Sequence, residues 1–509
     1  MQESNLISVL KSLSKKEIKK FNEYIHSPIF NKNENIIRLF EYLVRYYPEF
    51  PETKINKSEV FKVIFPGKKY NDGLMRKMMF QLKNLAEDYL FYISNNKSVF
   101  QTRFNFLNEL IRRNLLTNYQ RHFRELTDEI MNTEYRDKEY YYKRYLIETL
   151  NINYINKIRY NIDRYNGKIM YDEHVIKSLN HFKDHFILNT LSEYRYIYFQ
   201  NYITQLEFKD DLLDNLINYL IEKYTVEQNK LTDEYRNPYI KLHLFELMLM
   251  KTRHKYTKLY QDKYYFSLKK ILIEKEMDFP DDIYFNLKSI LSQHCYYKIL
   301  RGFGEYIKER FEIYKLSLSR GYYKSQTDIY FPSPMFLKFV MIAVQAGEIN
   351  WAISFIDNYK NSLDPNHSEI TMNLSLACIN IGINKFQEAL NYLNKITKID
   401  RLEYKFIIKD MYLMIFYELS FYDQANYLID SYNHFLKKMR NHFNLEKIEG
   451  RQNYVKYYHK LLIMKEKQEL SELDNILDDL HNHNLVIYNR FWLLDKAKQL
   501  NISNNKPVI

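Results

Sequence analysis

Asp210-Asp211-Leu212-Leu213-Asp214 spaces three carboxylates closely enough to do chemistry. On a helix its carboxylates occupy two successive turns of one face, an arrangement that can hold Mg²⁺ against a diphosphate. The sequence offers no convincing second acidic motif to join it. The competing role is structural: Asp210 or Asp211 caps a helix running to about Tyr224, with acids favoured in its first turn.

His181 and His185 share a helix face at the spacing of a zinc site, but Phe182 stands where a metalloprotease motif has Glu. His294 and Cys295 are sequence neighbours, so a helix points them about 100° apart and makes them a poor catalytic pair. Gly302-Phe303-Gly304 has no preceding strand and no third glycine, and Pro66-Gly67-Lys68-Lys69 lacks the frame of a phosphate loop. These features imply no cofactor, no metal and no small-molecule substrate.

Basic residues suggest a different chemistry. A short helix, a turn with Lys68 and Lys69, and a long helix with Arg76, Lys77 and Lys83 form a possible helix-turn-helix over residues 58–90. There Lys and Arg would meet phosphates, and Gln81 or Asn84 would reach base edges. Residues 1–90 carry 16 basic and 11 acidic side chains, but Glu87 and Asp88 put negative charge at the helix end and no β-wing follows. Tyr135, Tyr140, Tyr141, Tyr142 and Tyr145, interleaved with Arg136, Lys138, Lys143 and Arg144, could stack single-stranded bases. They spread around a helix circumference, so packing between hairpins accounts for them better.

The elements that must carry these residues are helices. The chain has 9 glycines and 10 prolines in 509 residues, far too few for a turn-rich fold. A composition of 46% apolar and 27% charged residues is that of a globular protein. The net charge of +12 is a mild bias spread along the whole length, and two cysteines cannot build a disulfide framework. No secretory leader and no apolar run of membrane-spanning length is evident, so the expected location is cytoplasmic, away from membranes.

Residues 1–95 read as a small helical domain, opened by a Ser14–Glu17 capping box and punctuated by Ser27-Pro28, Pro48, Pro51 and Pro66-Gly67. Residues 96–330 read as irregular helical hairpins, with breaks at Glu227–Pro238 and Asp278–Asp282. Over 331–440 a pattern returns three times around Ala352, Ala389 and Ala425, which lie 37 and 36 residues apart. Each alanine follows Ile349, Phe386 or Tyr422 by three residues and precedes Ile356, Leu393 or Ile429 by four. Residues 441–500 read as capping helices and 501–509 as a tail.

The Lys385-Phe386-Gln387-Glu388-Ala389-Leu390 stretch, with Leu376-Ala377 before it, resembles the tetratricopeptide repeat. Tyr359, Ile396 and Tyr432 stand where that family has a small residue, which implies wider, less uniform hairpins. Leu13-Ser14-Lys15-Lys16-Glu17, Phe65-Pro66-Gly67-Lys68-Lys69-Tyr70-Asn71-Asp72 and Phe416-Tyr417-Glu418-Leu419 resemble a family of uncharacterised bacterial all-helical proteins, a likeness that implies architecture and no activity. The three aspartates resemble the metal motif of isoprenoid synthases, which implies a Mg-dependent enzyme as a remote alternative.

In tetratricopeptide proteins the first helix of each hairpin lines a peptide-binding groove. The resemblance places Leu337, Met341 and Val344 there in the first hairpin, Leu374, Cys378 and Ile381 in the second, and Asp410, Met414 and Tyr417 in the third. Nearly all are apolar, so the groove either accepts a hydrophobic segment or is filled by the chain's own helices. The expectation is therefore an all-α, irregular tetratricopeptide-like solenoid with a small N-terminal domain, acting as a non-catalytic scaffold for a protein partner. A DNA-binding regulator built on residues 58–90 is the alternative.

Overall fold

A computed structural model describes the chain except for residues 2, 98, 159–163, 205–209, 227–236, 252–257, 275–278, 325–327, 329, 398, 400, 444 and 505–509. The expected break at 227–236, residue 278 of the next one, and the end of the expected tail lie outside the described residues. Among the described residues the chain is an all-α array of 23 α-helices without a strand, and its only β feature is an isolated parallel bridge between Phe331 and Leu363. The helices pack as successive hairpins of an irregular α-solenoid.

The chain divides into two compact units, residues 1–132 with 144–178, and residues 133–143 with 179–509. The first unit begins with α1 (Asn5–Ser12), α2 (Lys15–His26), α3 (Glu34–Val44), α4 (Lys57–Ile64) and α5 (Asp72–Lys97). At the start of α2, Glu17 N–H donates to Ser14 Oγ (3.3 Å) while Glu17 Oε2 accepts from Ser14 N–H (2.8 Å), the reciprocal capping box. Proline and positive-φ Gly67 end the segments at their expected places. Leu10, Phe21, Leu39, Phe40, Phe61, Met75, Leu82 and Ala86 close one apolar core, and no charged side chain within 1–97 is buried among the described residues.

Next come α6 (Val99–Arg112), α7 (Leu116–Met131), α8 (Lys138–Ile158) and the 41-residue α9 (Arg164–Thr204), the last two each divided between the units. The second unit continues with α10 (Asp211–Val226), α11 (Pro238–Lys251), α12 (Lys258–Glu274), α13 (Asp281–Leu300) and α14 (Glu305–Ser319).

The stretches around the three alanines are three hairpins: α15 (Ser333–Gln345) with α16 (Ile349–Tyr359), α17 (Pro365–Gly382) with α18 (Phe386–Asn394), and α19 (Leu402–Glu418) with α20 (Tyr422–Met439). Ala352, Ala389 and Ala425 are all fully buried, which lets the two helices of each pair close. Five residues before each alanine the backbone turns left-handed, at Gly347, Asn384 and Ser420 (φ 80°, 60° and 58°). One hydrogen bond then recurs: Glu348 N–H to Ala343 O (2.9 Å), Lys385 N–H to Asn380 O (2.8 Å), and Phe421 N–H to Phe416 O (2.9 Å). This is the Schellman closure of a helix C-terminus.

The same closure ends α6 at Asn114 (Leu115 N–H to Leu110 O, 2.9 Å) and α13 at Gly302 (Phe303 N–H to Lys298 O, 3.0 Å). The corresponding fifth residue is Tyr119 or Ile307, so these hairpins carry no alanine mark in the sequence. Three further helices, α21 (Leu445–Lys467), α22 (Leu473–His481) and α23 (Arg490–Asn504), complete the second unit.

Candidate partner-binding surface

The groove residues read from the sequence fall into two sets. Leu337, Leu374, Cys378 and Tyr417 are buried, and Met341, Val344, Ile381 and Met414 are half-buried. Val344 faces a neighbour rather than an opening: a Cβ on Gly382 would lie 2.6 Å from Val344 Cγ1, so bare glycine backbone is what lets α17 approach α15. Burial pushes the Cys378 thiol up to about 12, which keeps it protonated and unreactive.

In the third hairpin the chain itself occupies the groove positions. Tyr417 packs edge-on against Trp492 of α23 (5.2 Å) and Tyr458 of α21 (5.9 Å). Lys465 Nζ lies 4.6 Å from the Tyr417 ring and donates to Tyr417 O. Asp410 is buried; it accepts from Tyr432 Oη (2.6 Å) and lies 3.5 Å from Arg451 Nε of α21. Burial pushes Asp410 up to about 6, against the pull of Arg451 and Tyr432. The large Tyr432 thus finds its hydroxyl an acceptor on the facing helix.

The other sequence candidates have local partners. Asp210 Oδ1 accepts from Leu213 N–H (3.0 Å) as the cap of α10, and Tyr194 Oη donates to Asp214, while Asp211 is exposed. Among the described residues no group of three His, Cys, Asp or Glu is placed to hold a metal. His185 Nδ1 sits 2.9 Å from Lys138 O with its ring against Tyr142, and His181 lies beside Tyr141. Arg76 is paired with Asp72 (2.7 Å) and Lys83 with Glu87 (3.0 Å); Lys68 lies over Phe65, and Lys69 and Lys77 are exposed.

Tertiary structure builds polar centres that spacing could not announce. Tyr265, thirty residues upstream, stacks on His294 (4.8 Å), holds its hydroxyl 3.3 Å from Cys295 Sγ and donates to Glu309 (2.7 Å). Burial pushes Cys295 up to about 12, which disarms it as a nucleophile. Asp262 accepts from Tyr306 Oη (2.8 Å) and pairs with Lys298 (3.2 Å); burial alone would raise it, but His294, Tyr306 and Lys298 outweigh burial and hold it below the usual carboxylate range. Glu246, fully buried, is likewise held ionised by Arg195 (3.1 Å) and His243 (3.0 Å).

One surface of the third hairpin stays open. The first and second hairpins join mainly through α15 on α17, whereas the second meets the third through both α17 and α18 against α19. On α19 and α20 this leaves an apolar depression of about 500 Å³ lined by Tyr412, Phe416, Asp423, Gln424, Tyr427 and Leu428. Tyr412 and Phe416 have ring centres 5.5 Å apart, and Tyr412 Oη is fixed by Asn394 Oδ1 (2.9 Å). Tyr427 is 80% exposed. No helix among the described residues is long and apolar enough to cross a membrane. Comparison with protein-family models, with curated proteins and with solved structures returned no match.

Proposed function

We propose that this protein is a non-catalytic scaffold whose helical hairpins bind a protein partner, and that the binding surface is the open face of the third hairpin. The observation that carries this reading is the depression lined by Tyr412, Phe416, Tyr427 and Leu428. Aromatic side chains that offer wide apolar area and a polar edge are what protein interfaces concentrate at their energetic centres. A tyrosine as exposed as Tyr427 gains little by folding, which leaves its contact area for association.

The surface lies beside the positions that the tetratricopeptide resemblance marks, because α21 and α23 pack where a groove-bound peptide would lie against Tyr417. The test places a photo-crosslinking amino acid at Tyr427 and, separately, at Met414 in the full chain, expressed in its native host. Crosslinks to another protein from position 427, lost in a Phe416→Ser background that still folds, support the reading. Crosslinks from 414 alone return the site to the inner face, and none from either removes the scaffold reading.

A further inference from the structure

The third hairpin distributes its charge unevenly. Residues 402–439 hold 5 acidic and 4 basic side chains, and the basic ones, Lys405, Lys409, Lys437 and Lys438, all lie outside 410–436. From Asp410 to Leu436 there is no Lys or Arg at all, the longest such run in the chain. Two of its four carboxylates are occupied internally, Asp410 by Tyr432 and Arg451, and Glu418 by Lys496 (2.7 Å). The other two, Asp423 and Asp430, bracket Tyr427 on one face of α20 at spacings of four and three residues. Neither is buried, and neither forms an ion pair among the described residues. Asp423 thus puts one carboxylate on the lining of the apolar depression, and Asp430 puts a second about 10 Å further along the helix axis.

We infer that the partner taken by this surface is a basic amphipathic polypeptide segment: an apolar side chain fills the depression between Tyr412, Phe416 and Leu428, while Lys or Arg on either side meets Asp423 and Asp430. An arginine so placed also lies against the exposed Tyr427 ring, adding a cation–π contact to the ion pair. The inference rests on the scaffold reading and narrows it to one partner chemistry. Charge complementarity selects the occupant, since like charge beside these carboxylates would cost affinity whereas opposite charge steers encounter. An acidic segment or a nucleic-acid backbone meets the wrong sign here.

The experiment pans a library of short displayed random peptides on the immobilised full-length chain, in parallel with the Tyr427→Ser chain. Peptides held by the first and lost by the second are expected to be net positive, with Lys or Arg on both sides of an apolar residue. A synthetic representative should bind on the order of tenfold more weakly after Asp423→Lys with Asp430→Lys, and more weakly as salt rises. Enriched peptides that depend on Tyr427 but are neutral or acidic leave the scaffold standing and overturn the basic partner. Peptides that bind both chains equally overturn both readings. Self-association of the unmodified chain by sedimentation, abolished by Tyr427→Ser, overturns the basic segment in favour of a second copy.

Discussion

The hairpin pairs α15–α18 and the helices α21–α23 that close the second unit bury similar elements with opposite chemistry. In α15–α18 the buried polar groups are hydroxyls, and Thr371 and Ser375 return theirs to carbonyls one turn back, His367 O (2.8 Å) and Thr371 O (2.7 Å). Nothing there needs a distant partner. The closing helices instead meet α13 and α19 through buried charge. Arg490, 1% exposed, has no carboxylate partner among the described residues: it donates to Leu300 O (3.1 Å), Leu480 O (2.6 Å), Asn482 O (3.1 Å) and Leu485 O. Leu300 and Leu480 lie at the ends of α13 and α22, so one guanidinium satisfies orphan carbonyls at the negative poles of two helices.

Burial pulls Arg490 down to about 10, which still leaves it charged at neutral pH. Around it Ile487 N–H also donates to Leu300 O (3.0 Å), and His483 Nδ1 approaches Arg301 O (2.6 Å) with its ring stacked on Phe303 (4.4 Å). Gly302, at φ 92°, admits Arg490 Cδ and His483 Nδ1, each 3.3 Å from where its Cβ would stand. The lesson is that an apolar repeat can be built from neighbours alone, whereas closing it on a helix 190 residues away takes a directional group.

The widest gap between the two regions should appear on removing the guanidinium. Arg490→Met leaves two buried and two part-buried carbonyls without that donor and is expected to cost about 3–5 kcal/mol in urea unfolding. A loss under about 1 kcal/mol would mean that the closure is as apolar as the hairpins. Next comes steric fit: Gly382→Ala drives a Cβ into Val344 and is expected to cost about 1–3 kcal/mol. Adding Val344→Ala should return part of that loss, a coupling that a double-mutant cycle measures.

Asp410 sharpens the comparison through pH. Its folded value of about 6 lies above the ordinary 3.8 because burial disfavours its charge, with Arg451 and Tyr432 opposing that effect. Its contribution to stability is therefore complete below about pH 4 and is lost as pH rises through about 6. Asp410→Asn should flatten that window, with a difference on the order of 1–2 kcal/mol between its ends. Equal pH slopes for the two chains would place the ionised pair at ease in the core.

A smaller effect belongs to the third turn. Ser420→Gly relieves a left-handed serine and should raise stability by about 0.5–1 kcal/mol, whereas the same change at Asn384, a residue that tolerates this conformation, should do less. Tyr427→Ser, on the open surface, should stay within about 0.5 kcal/mol of the parent while abolishing partner binding.

The three hairpins were legible in the sequence because Ala352, Ala389 and Ala425 mark a local need: two helices joined by a short turn must touch, and the contact selects a small residue. The N-terminal elements were legible for the same reason, since the Ser14–Glu17 box and the Pro-Gly breaks act within a few residues of themselves. Hairpins α6–α7 and α13–α14 were not, because Tyr119 and Ile307 sit where the mark would be, although Asn114 and Gly302 turn the chain as Asn384 and Gly347 do.

The candidate site divides along the same line. The tetratricopeptide resemblance placed groove residues on the first helices, but it could not say which face the chain would cover with its own helices. That depended on Trp492 and Tyr458 reaching Tyr417, and on Arg451 reaching Asp410. Local pattern determines helices and hairpins because their hydrogen bonds close within a few residues. Which face stays open is a property of long-range packing, and only the tertiary structure decided that α19 and α20 keep the depression at Tyr427 uncovered.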